Sequence, residues 1–392
     1  HLPDTKDDLD YIFDLTEASA IVIFDEFKGR DYVELAKSLQ KDHVSLEHII
    51  VVSDDEIEGT VNYQHMIEEG SETPVSVLEE NRPVGTDPFF IMFTSGTTGR
   101  PKAELHLHAN NLYWTNTFNK ILQFPDDAKW FIVTPIAHLT GLGIGCLGAL
   151  YRGAPVVLLS AWDVDKAIEV AEREKPTTLL GATPMLIDIA RYEKLEEHDL
   201  TSIESIAYAD ATCPYDILKT LNARIGAEII AFYGYTEAGA THCTRRNDGI
   251  EITSMSFGKI IDGLEERFRS NDGELLEPPC EGEILVKGPS FIPGYYNQPE
   301  NTNKMFKDGW FQSSDVVRVD ENGYCTFVAR KDDLINRGGY KIDPREIEDI
   351  LYTHPDIEQA AIVGFPDERL GQRAAAVVVL KDKTKTMELK DI

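Results

Sequence analysis

The chain has 392 residues, 42% of them hydrophobic and 27% charged. This is an ordinary globular composition, and it excludes wholesale disorder, a collagen-like fibre and a disulfide-stapled miniprotein. With 68 acidic residues against 38 basic ones, the formal charge is -30. That sign is opposite to what neutralises a phosphate backbone, so nucleic acid and anionic membrane are poor partners for the chain as a whole. At about 100–200 residues per domain, the length accommodates two to three domains.

The five cysteines, Cys146, Cys213, Cys243, Cys280 and Cys325, are scattered and form no CxxC pair. They read as reduced thiols of a cytoplasmic protein. His106 with His108, and His242 with Cys243, lack a matching second half for zinc, so both pairs are read as structural. No charged start precedes an apolar run, and no signal peptide is expected. The most apolar stretch, 139–161, contains Arg152, Gly153 and Pro155. It reads as a helix over 141–151 and a buried strand over 155–159, with no stable membrane insertion.

Short apolar runs predict buried strands at 20–24, 49–52, 89–93, 129–134, 156–159, 178–180, 205–209 and 228–231. Helical patterns fall between several of them, at 31–40, 164–174, 184–193 and 215–222. This alternation predicts an α/β fold with parallel-rich sheets covered by helices. Between Ser53 and Asn81 there are nine acids and no Lys or Arg, which reads as a solvated surface connection. From about Phe257 the runs shorten, and Glu321-Asn322-Gly323 is a hairpin signal. A helix over 344–353, N-capped by Asp343, and strands at 359–364 and 374–380 complete the pattern. The expected domains are therefore 1–256, an α/β domain; 257–331, a small β-rich subdomain; and 332–392, a small α+β domain whose end is missing.

Residues 93–102 read Phe-Thr-Ser-Gly-Thr-Thr-Gly-Arg-Pro-Lys. The hydroxyls of Thr94, Ser95, Thr97 and Thr98, the backbone at Gly96 and Gly99, and the Lys102 ammonium can together surround phosphate oxygens. The spacing is not that of a Walker loop, which disfavours a P-loop kinase or NTPase. The segment resembles the signature loop of the acyl-adenylate-forming superfamily: acyl-CoA synthetases, adenylation domains and firefly-type luciferases.

Further motifs follow in that family's order. Pro135–Gly141 resembles the segment bordering the acyl pocket, which implies a gating role for His138. Tyr233-Gly234-Tyr235-Thr236-Glu237 resembles the family's Tyr-Gly-x-Thr-Glu. The resemblance implies adenine stacking by Tyr233, a phosphate contact from Thr236, and Mg²⁺ held by Glu237. Asp315, in Gly309–Asp315, matches the aspartate that binds both ribose hydroxyls, and Arg330 matches the ribose-binding arginine. Asp332 falls at the family's hinge position, which implies a mobile C-terminal domain. Gly338, Gly339 and Tyr340 match the loop bordering the pantetheine tunnel. Asp210 and Ala211 stand where the family has backbone against adenine and the acyl group.

There are departures from the pattern. Ala103, Ser314 and Ala329 replace usual glycines, swaps tolerable wherever φ is negative. Asp210 replaces a glycine; it reads either as a solvent-facing carboxylate or as a contact to the adenine amino group or a polar acid. The family's late catalytic lysine has no counterpart, and the resemblance implies that the start of the domain 1–256 is missing as well. The implied activity is ATP-dependent activation of a small carboxylic acid through an acyl-adenylate, with Mg²⁺, followed by transfer to coenzyme A. Lys102, Thr236, Glu237 and His138 are the implied catalytic set. The look is closest to medium-chain or alicyclic acid-CoA ligases. Two alternatives stay open: an enzyme that loads a carrier protein, and a non-catalytic nucleotide-binding remnant. A homo-oligomer is compatible with the sequence.

Overall fold

The computed structural model describes residues 6–27, 29–94, 100–124, 128–331, 334–337, 340–342, 344, 347–348, 351, 354, 356–367, 369–382 and 384–387. The chain forms two compact units, His1–Leu112 with Ile292–Thr302, and Tyr113–Phe291 with Asn303–Ile392.

The first unit holds a three-stranded parallel sheet of Ala20–Phe24, His48–Val52 and Val61–Asn62, with Ala20 opposite His48 and Ile50 opposite Val61. The helix Tyr32–Asp42 covers one face, and Val33 and Ala36 pack there against Ile49 and Val51. Asp31 caps that helix by accepting from the Val33 and Glu34 N–H groups at 2.8 and 3.0 Å. The acidic stretch 53–81 departs from the expected plain connection. It carries the strand Val61–Asn62 and the helices Tyr63–Gly70 and Val75–Glu80, neither helix having a buried residue. Asn62 starts the first of them by accepting from the Gln64 and His65 N–H groups. A good cap suffices for a short helix whose acids stay solvated.

A second departure concerns the expected buried strand at 89–93. The strand Pro88–Thr94 is only partly buried and pairs antiparallel with Lys102–Leu107, placing Thr94 opposite Lys102. An apolar run alone does not distinguish the two kinds of strand.

The second unit is built on a seven-stranded sheet. Its order is Lys259–Ile260, Gly239–Cys243, Glu228–Tyr235, Ser205–Ala209, Thr178–Ala182, Trp130–Ile132, Val156–Leu158. The last five strands are parallel, as the strand–helix alternation predicts; the first two are antiparallel additions. The helices Val164–Glu174, Thr183–Arg191 and Tyr215–Ile225 contribute Ile168, Leu186 and Leu218 to the core on one face. On the expected helix over 141–151, Thr140–Leu147 is a π-helix, followed by an α-helix Gly148–Arg152. A Cβ on Gly143 would stand 2.5 Å from the Trp114 ring, and one on Gly145 2.7 Å from Ile132. The wide turn is thus seated by glycine directly on buried side chains.

The same unit carries an antiparallel six-stranded sheet. It includes Glu265–Arg269, Cys280–Lys287, Trp310–Val319 and Cys325–Arg330. The turn predicted at Glu321-Asn322-Gly323 is present: Asp320 N–H donates to Tyr324 C=O at 3.1 Å, and Gly323 has φ +84°. A four-stranded sheet follows, with Ile357–Asp367 and Gly371–Leu380 as its long hairpin. Ile335, Leu351, Ile357 and Ile362 form a core of its own. The helix expected over 344–353 lies largely outside the described residues. Among the described residues no helix is long and apolar enough to cross a membrane.

Trp114 is 1% exposed and supports both Gly143 and Gly239. Trp114→Ala is expected to cost about 3–5 kcal/mol of stability, measured by urea unfolding followed by far-UV circular dichroism.

Candidate active site

In the first unit, the Thr94 and Lys102 ends of the signature loop are fixed by the hairpin register. Ser95, Gly96, Thr97, Thr98 and Gly99 lie outside the described residues. The Thr94 hydroxyl donates to Glu104, so the buried Glu104 holds the strand end. On the return side, Pro101 C=O accepts from Tyr11 O–H at 3.2 Å and Gln298 Nε2 at 3.1 Å. Ala103 N–H donates to Gln298 Oε1 at 3.0 Å. The Lys102 ammonium stands 5.7 Å from the Tyr295 ring centroid. Tyr11, Tyr295 and Gln298 were not legible as loop supports, because their partners lie 90 to 197 residues away.

In the second unit, parallel strands bring several predicted residues to one carboxyl edge. Ala182 lies opposite Ala209, and Tyr208 opposite Ala231. In open α/β sheets this edge is where ligands bind. Thr183 O–H donates to Ala211 C=O at 2.6 Å and ties two of these strand ends together. Asp210 is exposed and has φ +85°. The backbone there adopts the left-handed region that a glycine would occupy without strain.

Gly234 and Tyr235 end their strand, and Thr236-Glu237-Ala238 form the turn into Gly239–Cys243. A Cβ on Gly234 would lie 1.9 Å from Gly239 O, so only glycine fits. Glu237 is buried in that turn and Thr236 is half-buried. The Tyr233 ring stacks on Phe257 at 4.2 Å. Its hydroxyl hydrogen-bonds to Asp315 and to the Tyr235 hydroxyl 2.8 Å away. Burial pushes the Tyr233 phenol well above the ordinary tyrosine range, with Tyr235 and Asp315 adding to it. Burial and then Asp315 do the same for Tyr235.

Asp315 lies opposite Arg330 in the antiparallel pair, and Arg330 Nε donates to its Oδ1 at 2.8 Å. The Asp315 side chain is 1% exposed against 46% for Arg330. Asp315, Arg330, Tyr233 and Tyr235, drawn from three separate motifs, therefore meet at one point. His138 is exposed, and its described contacts stay in its own loop. Thr140 N–H donates to Nδ1 at 3.2 Å, which leaves the proton of a neutral ring on Nε2. Asp332, Gly338 and Gly339 lie outside the described residues. Tyr340 sits in the strand Tyr340–Ile342. A cleft of about 590 Å³ lined by Lys120, Arg245, Arg246 and Asp262 contains none of the predicted site residues.

Ser314 corrects the expectation of a negative φ: it has φ +64°. Its C=O accepts from Lys331 N–H at 2.7 Å. Beyond it, Lys331 and Arg269 donate to the buried Glu283 at 2.8 and 3.0 Å. Burial alone would raise the Glu283 carboxyl, but these two cations hold it below the usual range.

The sequence profile of the AMP-binding enzyme family matches residues 4–296, and that of the AMP-binding enzyme C-terminal domain matches 346–392. The chain belongs to the AMP-binding enzyme family. It is 35% identical over 305 residues to a feruloyl-CoA synthase of Amycolatopsis, covering 76% of this chain and 61% of that protein. It is 32% identical over 303 residues to a medium-chain fatty-acid–CoA ligase of Escherichia coli, covering 77% of this chain and 53% of that protein. The matches thus span less than two thirds of these relatives' length. Among solved structures, ATP-bound MatB from Rhodopseudomonas palustris superposes with a TM-score of 0.81 at 24% identity, covering 99% of this chain and 74% of that one. The large α/β part followed by a small α+β part is the fold of this family.

Two outcomes follow from the backbone and the ion pairs. Ser314→Gly relieves the left-handed strain and is expected to stabilise the chain by about 1 kcal/mol in thermal unfolding. Glu283 binds its proton less readily in the folded chain, so its contribution is present above the unfolded carboxyl pKa of about 4.3 and is lost as pH falls. The stability difference between the wild type and Glu283→Gln, read from urea curves at several pH values, is expected to shrink below that point.

Proposed function

We propose that the protein is an AMP-forming acid–CoA ligase. The observation that carries this reading is the meeting of Asp315, Arg330 and Tyr233, three residues that the family resemblance assigns to the adenosine moiety of ATP. In this reading Asp315 accepts from the two ribose hydroxyls, exchanging its bond to Tyr233 for one of them, while Arg330 stays paired with the carboxylate. Tyr233 offers the ring face away from Phe257 to adenine, and the strand ends at Asp210, Ala211, Gly234 and Tyr235 form the wall.

Lys102, with Thr94, Ser95, Thr97, Thr98 and the backbone at Gly96 and Gly99, binds the phosphates at the loop. There the ammonium offsets the repulsion between an anionic acid and an anionic phosphate. Thr236 adds a hydroxyl. Glu237 is a buried oxygen donor suited to Mg²⁺, which when bound screens phosphate charge. A carboxylate oxygen bonds to the α-phosphorus and the bond to pyrophosphate breaks. The CoA sulfur then bonds to the acyl carbon, AMP leaves, and the thiol proton goes to solvent. His138 borders the acid. Residues 332–392 act as a mobile domain hinged at Asp332, bringing Gly338, Gly339 and Tyr340 to the pantetheine arm. The separate sheet and core of that segment support its being a module.

The substrate class is an aromatic, alicyclic or medium-chain acid; the feruloyl-CoA synthase and the medium-chain ligase support it. All five cysteines are free thiols, which supports a cytoplasmic setting.

The test is AMP release from MgATP with a panel of such acids, each with and without CoA. AMP that requires both acid and CoA is the expected result, with Asp315→Ala raising the KM for ATP about 10- to 100-fold. Accumulated acyl-AMP that CoA does not discharge would instead assign a carrier-protein acceptor. Absence of any ATP cleavage would remove the ligase reading.

A further inference from the structure

The structure also brings together a set of donors that the nucleotide chemistry does not use. His242, in the strand Gly239–Cys243, faces Glu266 of Glu265–Arg269 and Cys325 of Cys325–Arg330. One ligating atom from each lies within 4.8 Å of the other two. His242 Nε2 is 3.0 Å from Glu266 Oε2, and Cys325 Sγ is 4.0 Å from the same oxygen. His242 and Cys325 are fully buried, while Glu266 reaches the surface with 18% of its side chain.

The hydrogen-bond geometry around His242 is compatible with a metal ligand. Thr241 Oγ1 lies 3.4 Å from Tyr233 C=O, to which its single proton can go. The same Oγ1 is 3.0 Å from His242 Nδ1 and accepts from it when that nitrogen carries the ring proton. In the tautomer with its proton on Nδ1, His242 turns the Nε2 lone pair toward the Glu266 carboxylate; in the other, Nε2–H donates to that carboxylate and is displaced when a metal binds. Two acceptors at 3.0 Å need a proton or a cation between them, and a third soft donor, Cys325 Sγ, points at the same spot. Ring nitrogen, carboxylate and thiol with a hydroxyl behind the histidine are the donor set of zinc, and the softness of sulfur disfavours magnesium and calcium.

The backbone around Cys325 is held rigidly. Its C=O accepts from Ser256 O–H at 2.7 Å and Phe257 N–H at 3.0 Å, and its N–H donates to Gly258 C=O at 2.9 Å. The other nearby thiol does not compete by forming a disulfide. Cys280 and Cys325 flank Val319 in successive strands. Two interstrand spacings put their Cα atoms about 9.6 Å apart, beyond the roughly 4.4–6.8 Å that a disulfide spans.

We infer that His242 Nε2, Glu266 Oε2 and Cys325 Sγ form a structural zinc site, with water in the fourth position on the side where Glu266 is exposed. Binding releases one proton, that of the Cys325 thiol, and the thiolate bonds to the metal. The ion joins the seven-stranded sheet to the six-stranded one directly beneath Tyr233, whose ring stands 5.9 Å from the His242 ring. It is separate from Glu237 and requires no nucleotide.

The test uses the purified chain under reducing conditions, stripped with a chelator and free of ATP. Cobalt(II) is titrated in, then displaced by zinc. The expected result is one equivalent of cobalt with a thiolate-to-metal charge-transfer band, and a thermal midpoint that rises with zinc and falls again with chelator. Cys325→Ser abolishes the band, and Thr241→Val weakens binding about 10-fold. Glu266→Gln, on the partly exposed ligand, weakens cobalt binding without threatening the fold and so serves if Cys325→Ser does not fold. A folded wild type that shows no charge-transfer band, or a band that survives Cys325→Ser, overturns the site.

Discussion

A carboxylate cannot be taken out of water alone. Leaving Asp315 buried and unpaired would cost several kcal/mol, so its environment has to supply both charge and hydrogen bonds. Arg330 supplies the charge from the adjacent strand and Tyr233 supplies a hydroxyl from the other sheet. This one requirement aligns three strands. It fixes the register that sets Asp315 opposite Arg330, and it holds the end of Glu228–Tyr235 against the six-stranded sheet. The left-handed turn at Ser314 and the register shift between Val316 and Val317 aim the carboxylate inward.

The same arrangement separates holding from exchanging. Arg330 is half exposed and keeps its ion pair by geometry, since the two residues face each other across a ladder. The Tyr233 hydroxyl arrives from a different sheet and, in the proposed reading, is the partner that a ribose replaces. Stacking on Phe257 keeps the Tyr233 ring in place whichever partner its hydroxyl has. In the proposed ligase, the buried carboxylate therefore changes one hydrogen-bond partner and keeps its charge partner.

Much of this was legible in the sequence, and the parts that were not share a cause. Strands buried on both faces announce themselves as continuous apolar runs, and Ser205–Ala209 has the bounds that its composition predicts. The helix Val164–Glu174 likewise has the bounds that its apolar spacing predicts, and in the structure Asp163 caps it. Phe89–Phe93 misleads because an apolar run does not say which strand pairs with it, and here the partner is antiparallel. The sequence predicts a helix over 141–151 but not its π character, because the close seating of Gly143 and Gly145 on Trp114 and Ile132 is not visible in the local pattern. Ser314 looked tolerable because the sign of φ is set by a strand pairing that no local window contains. Tyr11 and Gln298 act on a loop far from them in the chain, and His242, Glu266 and Cys325 come from three strands with no common spacing. Local propensity was readable; burial was so only in part, since the strands predicted as buried at 20–24 and 156–159 expose Val22, Phe24, Val156 and Leu158; convergence of distant side chains was not.

The glycines of the π-helix have a bearing on how this protein could be altered in the laboratory. At Gly141, Gly143 and Gly145 an added methyl group would meet Pro135 O, Trp114 or Ile132 at 2.3 to 2.7 Å. The segment Pro135–His138 just before them is exposed. Two neighbouring stretches thus differ sharply in mutational tolerance. A randomised library placed on 135–138 would retain mostly folded members, whereas one placed on 141, 143 and 145 would be depleted to its parental sequence.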